Sequence, residues 1–332
     1  MRRRAFVKLL LGGVGAAWPL AAPPVVRAQP AAVPVVGFLG APSPGPYARY
    51  VAAIVRGLKE TGHVEGRNLR FEYRWAEGDY ERLPALAADL VKQRVGVIVA
   101  IGGAPAAAAA KAASTMIPIV FTIGADPVQF GLVASLNRPG GNITGIAMLG
   151  VELEAKRLQL LLELVPAAKL VAFLVNPKNA QADIQVQQVE EAARAVGKRI
   201  AVVRASTQRE LEAVFAAVSQ ERADALLVGA DTYFASEPVS FVVLTARHAI
   251  PAIYPWRSHV DAGGLMSYGT DLLDAYRQTG VYTGRILNGE KPADLPVMQA
   301  TRFELVINLK TARAIDLAIP ATLLARADEV VE

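Results

Sequence analysis

The chain is predicted to fold as α/β, in two similar doubly wound, Rossmann-like lobes. Three observations predict this. Short apolar runs alternate with amphipathic stretches over most of the chain. Nearly every apolar run ends in a glycine-containing or small polar turn. The runs of the first half can also be laid on those of the second in the same order. Alternation of this kind produces right-handed βαβ crossovers and parallel sheets. A length of 332 residues exceeds what one core comfortably fills, and 53% apolar residues is a globular composition.

Each element follows from its own pattern. "VPVVGFLG", ending at Gly40, is a continuous apolar run suited to a strand covered on both faces. "YARYVAAIVRGLKETGH" places Tyr47, Val51, Ile54, Val55 and Leu58 at helical spacing. "NLRFEYRW" reads as a strand, "DYERLPALAADLVKQR" as a helix, "VGVIVAIGG" as a strand, the alanine-rich "APAAAAAKAASTM" as a helix and "IPIVFTIG" as a strand. The second half repeats the scheme, with strands at "KLVAFLVNPKN", "RIAVVRAST", "ADALLVGADTY", "IPAIYPW" and "GLMSYGTD". Its helices fall around Ala182–Val196, "QRELEAVFAAVSQER" and "SEPVSFVVLTARHA". "VGFLGAPSP" aligns with "VAFLVNPKN", "VIVAIGGAP" with "ALLVGADTY", "IPIVFTIGAD" with "IPAIYPWRS" and "NITGIAML" with "GGLMSYGTD".

The first residues stand apart. "MRRRAFVKLLLGGVGAAWPLAAPPVVRAQP" has a basic start, an apolar stretch and a small-residue exit at Ala28, the pattern of a cleavable export signal. Arg3 and Arg4 followed by Ala5, Phe6, Val7 and Lys8 resemble a twin-arginine address; the alternative is an ordinary secretory signal with extra arginines. Residues 1–28 are therefore expected to be removed, with the mature protein in the periplasm. The segment holds Arg2, Arg3, Arg4, Lys8 and Arg27 and no acid, so it accounts for the whole net charge of +5. The mature chain is neutral and shows no basic run, which argues against nucleic acid as a partner.

The absence of cysteine excludes disulfides, thiolate metal sites, a thiol nucleophile and a lipid anchor on cysteine. His63, His248 and His259 lie far apart and none has a neighbour at metal-ligand spacing. No Walker loop, nucleophile elbow or HExxH is present. No catalytic group, metal or cofactor is implied.

In open α/β sheets ligands sit beyond the carboxyl ends of the strands. If both lobes turn those ends to one cleft, the strand-end loops supply the binding groups. They are Ala41–Ser43, Gly103–Pro105 and Gly124–Asp126 in the first lobe. In the second they are Asn176–Asn179, Asp231–Tyr233, Tyr254–Trp256 and Ser267–Asp271. The candidates for a small-molecule ligand are Ser43, Gly103, Ala104, Gly124, Asp126, Asn176, Asp231, Tyr233, Tyr254, Trp256, Tyr268 and Asp271. Each has a structural alternative. Asp126, Asp231 and Asp271 suit turn or helix caps, Ser43 suits a turn, and Tyr254 and Trp256 suit core packing.

Beyond these patterns the chain resembles a known family. "GFLGAPSP", "GHVEGRNLRFEYRWAEGDYERLPALAADLV", "PIVFTIGADPVQFGLVASLNRPGGNITGI", "LLELVP", "AIYPWRSHVDAGGLMSYGTDL", "RILNGEKPADLPV" and "FELVINLKTARAI" resemble the substrate-binding components of ABC importers with a type I periplasmic binding protein fold. The resemblance implies a non-enzymatic receptor whose lobes close on a small solute and deliver it to a permease and an ATPase; nothing in the residues calls for a stable oligomer, so a monomer is expected. It implies three crossovers, near Thr144–Leu149, Leu265–Tyr268 and Pro292–Thr301. The first lobe would hold residues 34–146 and 268–291, the second 147–267 and 292–332. Relatives that bind aromatic amino acids turn the expectation toward an amino acid, an aromatic one included. Ser43, Gly103 and the Gly124–Asp126 turn would then face a carboxylate. Asp231 or Asp271 would take an ammonium, and Tyr233, Tyr254, Trp256 or Tyr268 would stack on a side chain. The alternatives are a sensor subunit of the same shape and an exported α/β enzyme.

Overall fold

The computed structural model describes residues 33–148, 153–300 and 302–332. The expected export signal lies outside them. From Val33 to Glu332 the chain forms one compact unit holding two sheets. The first sheet is built by β1 (Val35–Gly40), β2 (Arg70–Trp75), β3 (Val97–Ile101), β4 (Ile119–Ile123) and β5 (Ile143–Ala147), linked by α1 (Pro44–Glu60), α2 (Leu83–Lys92) and α3 (Ala104–Ala113). The second lobe runs α4 (Glu154–Leu164), β6 (Leu170–Val175), α5 (Ala182–Ala195), β7 (Arg199–Arg204), α6 (Gln208–Gln220) and β8 (Ala225–Val228). It continues through α7 (Thr232–Ser236), α8 (Pro238–Arg247), β9 (Ala252–Tyr254), α9 (Arg257–Asp261) and β10 (Met266–Thr270). The chain then returns to the first lobe for α10 (Leu272–Leu287) and β11 (Met298–Gln299). It ends in the second with β12 (Phe303–Asn308), α11 (Leu309–Ala314), α12 (Ala321–Leu324) and β13 (Glu329–Val331).

The strand orders are β11-β5-β4-β3-β1-β2 and β13-β12-β10-β9-β8-β6-β7. The pairings are parallel except β10 with β12. The central strands β3, β6 and β8 read as unbroken apolar runs, and β4 is interrupted only by Thr122, because helices cover both their faces. The edge strands β2 and β7 carry arginines toward solvent, which guards an open edge. In the first lobe, Val36, Phe38 and Val99 pack with Tyr50 and Ile54 of α1 and Tyr282 of α10 on one face. Leu39, Ile98 and Phe121 pack with Leu90 of α2 and Ala107 of α3 on the other. In the second lobe, Phe173 meets Leu161 and Val189 on one face, while Leu226 meets Phe215 and Phe241 on the other.

Strand pairing moves the lobe boundaries drawn from the sequence. All of β10 belongs to the second sheet, from Met266 beside Ile307 to Thr270 beside Phe303, so the chain crosses after Thr270 rather than before Tyr268. Residues 292–300 stay with the first lobe. Leu295 is in its core, its carbonyl accepts from Thr144 Oγ1, and β11 pairs with β5 at Met298 and Gln299. The return crossing comes between β11 and β12. Ala147 likewise remains in the first sheet, beside Ile123. Leu149 and Thr301, at the ends of two expected crossovers, lie outside the described residues.

The α10 helix clamps this arrangement. It starts just past a crossing and lies against α1 so closely that a Cβ at Gly57 would fall on the Arg277 carbonyl oxygen, and one at Gly280 on that of Ile54.

Candidate functional site

The ends of β3 and β4 face those of β8 and β9 across a narrow cleft with about 50 Å3 of enclosed space. On the first-lobe side β3 runs into Gly102 and Gly103, with φ of 87° and 101°, a backbone conformation open mainly to glycine. The turn releases α3, whose first residues Ala104 and Pro105 line the cleft. No side chain caps this helix, and Pro105 has no N–H, so the amides of Ala104 and Ala106 are left to meet an anionic group. Gly124, just past β4, and Phe130 complete this wall.

Aromatic hydroxyls enter from the helices. Tyr47 of α1 and Tyr276 of α10 line the cleft, and the Tyr50 ring packs behind them, tilted at 33° and 4.9 Å from that of Tyr276. Burial holds the Tyr47 and Tyr276 phenols above the ordinary tyrosine value, so both stay protonated, and the two hydroxyls hydrogen-bond each other. The Tyr80 phenol is pushed up to about 12 by burial and then by the Asp231 carboxylate facing it. Its hydroxyl lies 3.3 Å from Thr232 Oγ1 of the opposite lobe. A single apolar cluster joins Tyr47, Tyr50 and Tyr276 to Ala230, Ala235 and Trp256, so the lobes meet in a closed arrangement.

Asp231 is the one charged side chain among the described residues lining the cleft. It follows β8 and caps α7, with Oδ1 accepting from the N–H groups of Tyr233 at 2.9 Å and Phe234 at 3.4 Å. Asn176 Nδ2 donates to Oδ1 at 2.9 Å and Asn179 Nδ2 to Oδ2 at 3.0 Å. Burial raises the carboxyl, and these four bonds oppose the rise. Trp256 forms the neighbouring wall over His259, which is held between Tyr254 and Trp256 and brought down to about 4 by burial. The cleft thus pairs one acidic point with an uncapped helix end and a ring-lined interior.

Of the sequence candidates, Gly103, Ala104, Gly124, Asp231 and Trp256 converge on this cleft, with Asn176 directly behind Asp231. Ser43 and Tyr233 meet instead at an adjoining opening with Glu77 and Glu237. Asp126 turns away to accept from the N–H groups of Val128 and Gln129. Tyr254 points into the second-lobe core and bonds Thr245 at 3.0 Å. Tyr268 packs on the opposite face of that sheet, against Phe303. Asp271 caps α10 and borders a separate groove with Arg49 and Arg257. Tyr47, Tyr80, Phe130, Thr232 and Tyr276 were absent from the candidates. Thr232 lies within the Asp231–Tyr233 loop that the strand ends single out; Tyr47 sits inside α1, where spacing reads it as core, and Tyr276 inside α10, a helix not among the expected elements. Among the described residues no group of His, Asp and Glu could hold a metal ion.

Residues 34–331 match the family model described as ABC transporter substrate binding protein. A tyrosine-binding protein of Clostridioides difficile is 28% identical over 264 residues, covering 79% of this chain and 75% of that one. A conserved domain protein of Vibrio cholerae superimposes with a TM-score of 0.82 at 29% identity, covering 90% of this chain and 99% of its own. A Streptococcus pneumonia ABC domain in complex with L-Trp gives 0.80 at 25% identity with the same coverage. A ligand-free, open substrate binding protein of Clostridium difficile gives 0.64, again at 25% identity and with that coverage. The architecture is that of the type I periplasmic binding proteins, and the chain belongs to the ABC transporter substrate binding protein family.

Proposed function

We propose that this protein captures an aromatic amino acid in the interlobe cleft and hands it to a membrane permease driven by an ATPase. The observation that carries the reading is the cleft's charge pattern: one carboxylate, Asp231, among aromatic rings, with the free N–H groups of α3 on the other lobe. A zwitterion matches this pattern. Its ammonium meets Asp231, its carboxylate meets the start of α3 and the tyrosine hydroxyls, and its ring lies among Trp256, Phe130 and the tyrosines. A phosphate or dicarboxylate finds no cationic side chain among the described lining residues.

Two comparisons support this. Relatives at 28% and 25% identity carry tyrosine in a name and L-Trp in a complex. At equal identity and coverage, the lobes here superimpose better on the L-Trp complex than on the ligand-free open protein. The twin-arginine-like segment ending at Ala28 supports export to the periplasm. A receptor of this kind binds without turnover.

A thermal-shift panel of amino acids, nucleosides, sugars and carboxylates on residues 29–332 tests the reading. L-Tryptophan, L-tyrosine or L-phenylalanine is expected to stabilise the protein by about 2.7 kcal/mol at roughly 100 times its dissociation constant. Stabilisation by another class alone would replace the ligand, and turnover of any compound would replace the receptor with an enzyme.

A further inference from the structure

A fully buried ion pair lies behind the cleft and belongs to no part of its lining. Glu154 and Arg157, both 0% exposed, occupy the first turn of α4, the first helix after the chain enters the second lobe. Arg157 Nη2 lies 2.8 Å from Glu154 Oε1, and its Nε donates to Oε2 at 3.3 Å. Burial raises the Glu154 carboxyl, while Arg157 and the Ala230 N–H pull it back. Both residues also reach outward. Glu154 Oε1 accepts from the Ala230 N–H at 2.9 Å, one residue before Asp231. The Ala230 carbonyl is held in turn by Gln185 Nε2 at 2.9 Å and Asn179 Nδ2 at 3.2 Å. Arg157 Nη1 donates to the Tyr268 carbonyl at 3.2 Å, in the strand that reaches the second crossing two residues later. In that strand Thr270 Oγ1 donates to the Met148 carbonyl at 2.8 Å, where the first crossing begins.

Stability alone is a poor reason for such a pair. Taking two charges out of water costs about as much as their attraction returns, and apolar replacements of similar volume are often neutral or stabilising. The partners of this pair are better accounted for by position, because one charge grips the loop that presents Asp231 and the other grips a strand entering the hinge.

We propose that Glu154 and Arg157 are positioning residues that tie the Ala230–Asp231 loop to the hinge strand β10, so that ligand occupancy and lobe closure are coupled through them. The inference rests on the cleft being the ligand site. Such coupling is mechanical: an ammonium drawing on Asp231 pulls a loop whose preceding amide is fixed to α4, and α4 is fixed to the strand that turns between the lobes. Coupling free energies between sites typically change affinity by roughly 5–150-fold.

The test uses the mature chain and the paired substitution Glu154→Gln with Arg157→Met, which removes both charges and leaves neither unpaired. Thr245→Val, which deletes a buried hydrogen bond elsewhere in the same lobe, is the control for simple loosening. In ligand-free protein, amide exchange is expected to quicken together at 229–232 and 266–272 in the double variant and at neither in the control. L-Tyrosine affinity is expected to fall at least about tenfold in the double variant and to stay within about twofold in the control. Exchange that quickens at only one of the two segments, or parental affinity in the double variant, overturns the proposal. If the double variant does not fold, Arg157→Lys keeps a cation opposite Glu154 but cannot reproduce the guanidinium's reach to the Tyr268 carbonyl; it is expected to shift the same two segments, with parental exchange overturning the proposal. A parent protein that binds neither L-tyrosine nor L-tryptophan sinks the aromatic-ligand reading, while the exchange comparison still decides the coupling.

Discussion

Asp231 carries two duties that pull against each other. As a helix cap and acceptor of two asparagine amides it organises the second-lobe loop, and as a buried charge it costs stability. Its folded-state pKa is raised, so the ligand-free protein is held back by this group at neutral pH. That cost is relieved as pH falls through the raised value. Ligand binding has the opposite dependence, because an ammonium needs the carboxylate ionised. Asp231→Asn keeps the size and one acceptor while removing the charge. The variant is expected to melt close to the parent, to bind aromatic amino acids at least about tenfold more weakly, and to lose the acid-side fall in affinity. Calorimetry across pH checks this. An unchanged affinity, or an acid limb that survives the substitution, would show that the ammonium is held elsewhere.

At the scale of elements, α10 is the piece that belongs to one lobe by packing and follows the other in sequence. Its contact with α1 is backbone against backbone at Gly57 and Gly280. Gly280→Ala would gain up to about 1 kcal/mol of helix propensity but force the helices apart, at about 1–3 kcal/mol or more for overpacking. A lower melting temperature is therefore expected, together with weaker ligand binding, since α10 carries Tyr276 into the cleft and begins at a crossing. A parental melt for this variant would mean that the helices part without cost. The same helix explains what was legible in the sequence. Strand-end loops could be listed from apolar runs and turns, which brought Gly103, Gly124, Asp231 and Trp256 into view. Spacing could not say that Tyr276 reaches across to Tyr47, because that meeting depends on a crossing more than two hundred residues along the chain from Tyr47. Nor could it separate Asp231 from Asp126 and Asp271, since all three cap local N–H groups and only the facing of the lobes distinguishes them. Tyr254 and Trp256 are two residues apart, yet the strand ends between them, so one enters the core and the other the cleft wall.

For the whole molecule, Tyr80 and Thr232 form a polar contact between the lobes, with the Gly102–Gly103 turn and Trp256 close by around the same cleft. When the lobes separate, both hydroxyls meet water, so the contact contributes to the closed form alone. A neutral hydrogen bond of this kind is worth about 0.5–1.5 kcal/mol. Tyr80→Phe is therefore expected to lower affinity by roughly 2–10-fold, chiefly through faster release. The aromatic ring that lines the cleft is retained, and the melting temperature of the ligand-free protein is expected to stay at the parent's value. Stopped-flow binding of L-tyrosine together with ligand-free melts separates the possibilities. Faster release with an unchanged ligand-free melt places the contact in the ligand-closed state. A ligand-free melt lowered in step with affinity would instead mean that the lobes hold this contact without ligand, and that solute capture has to begin by breaking it.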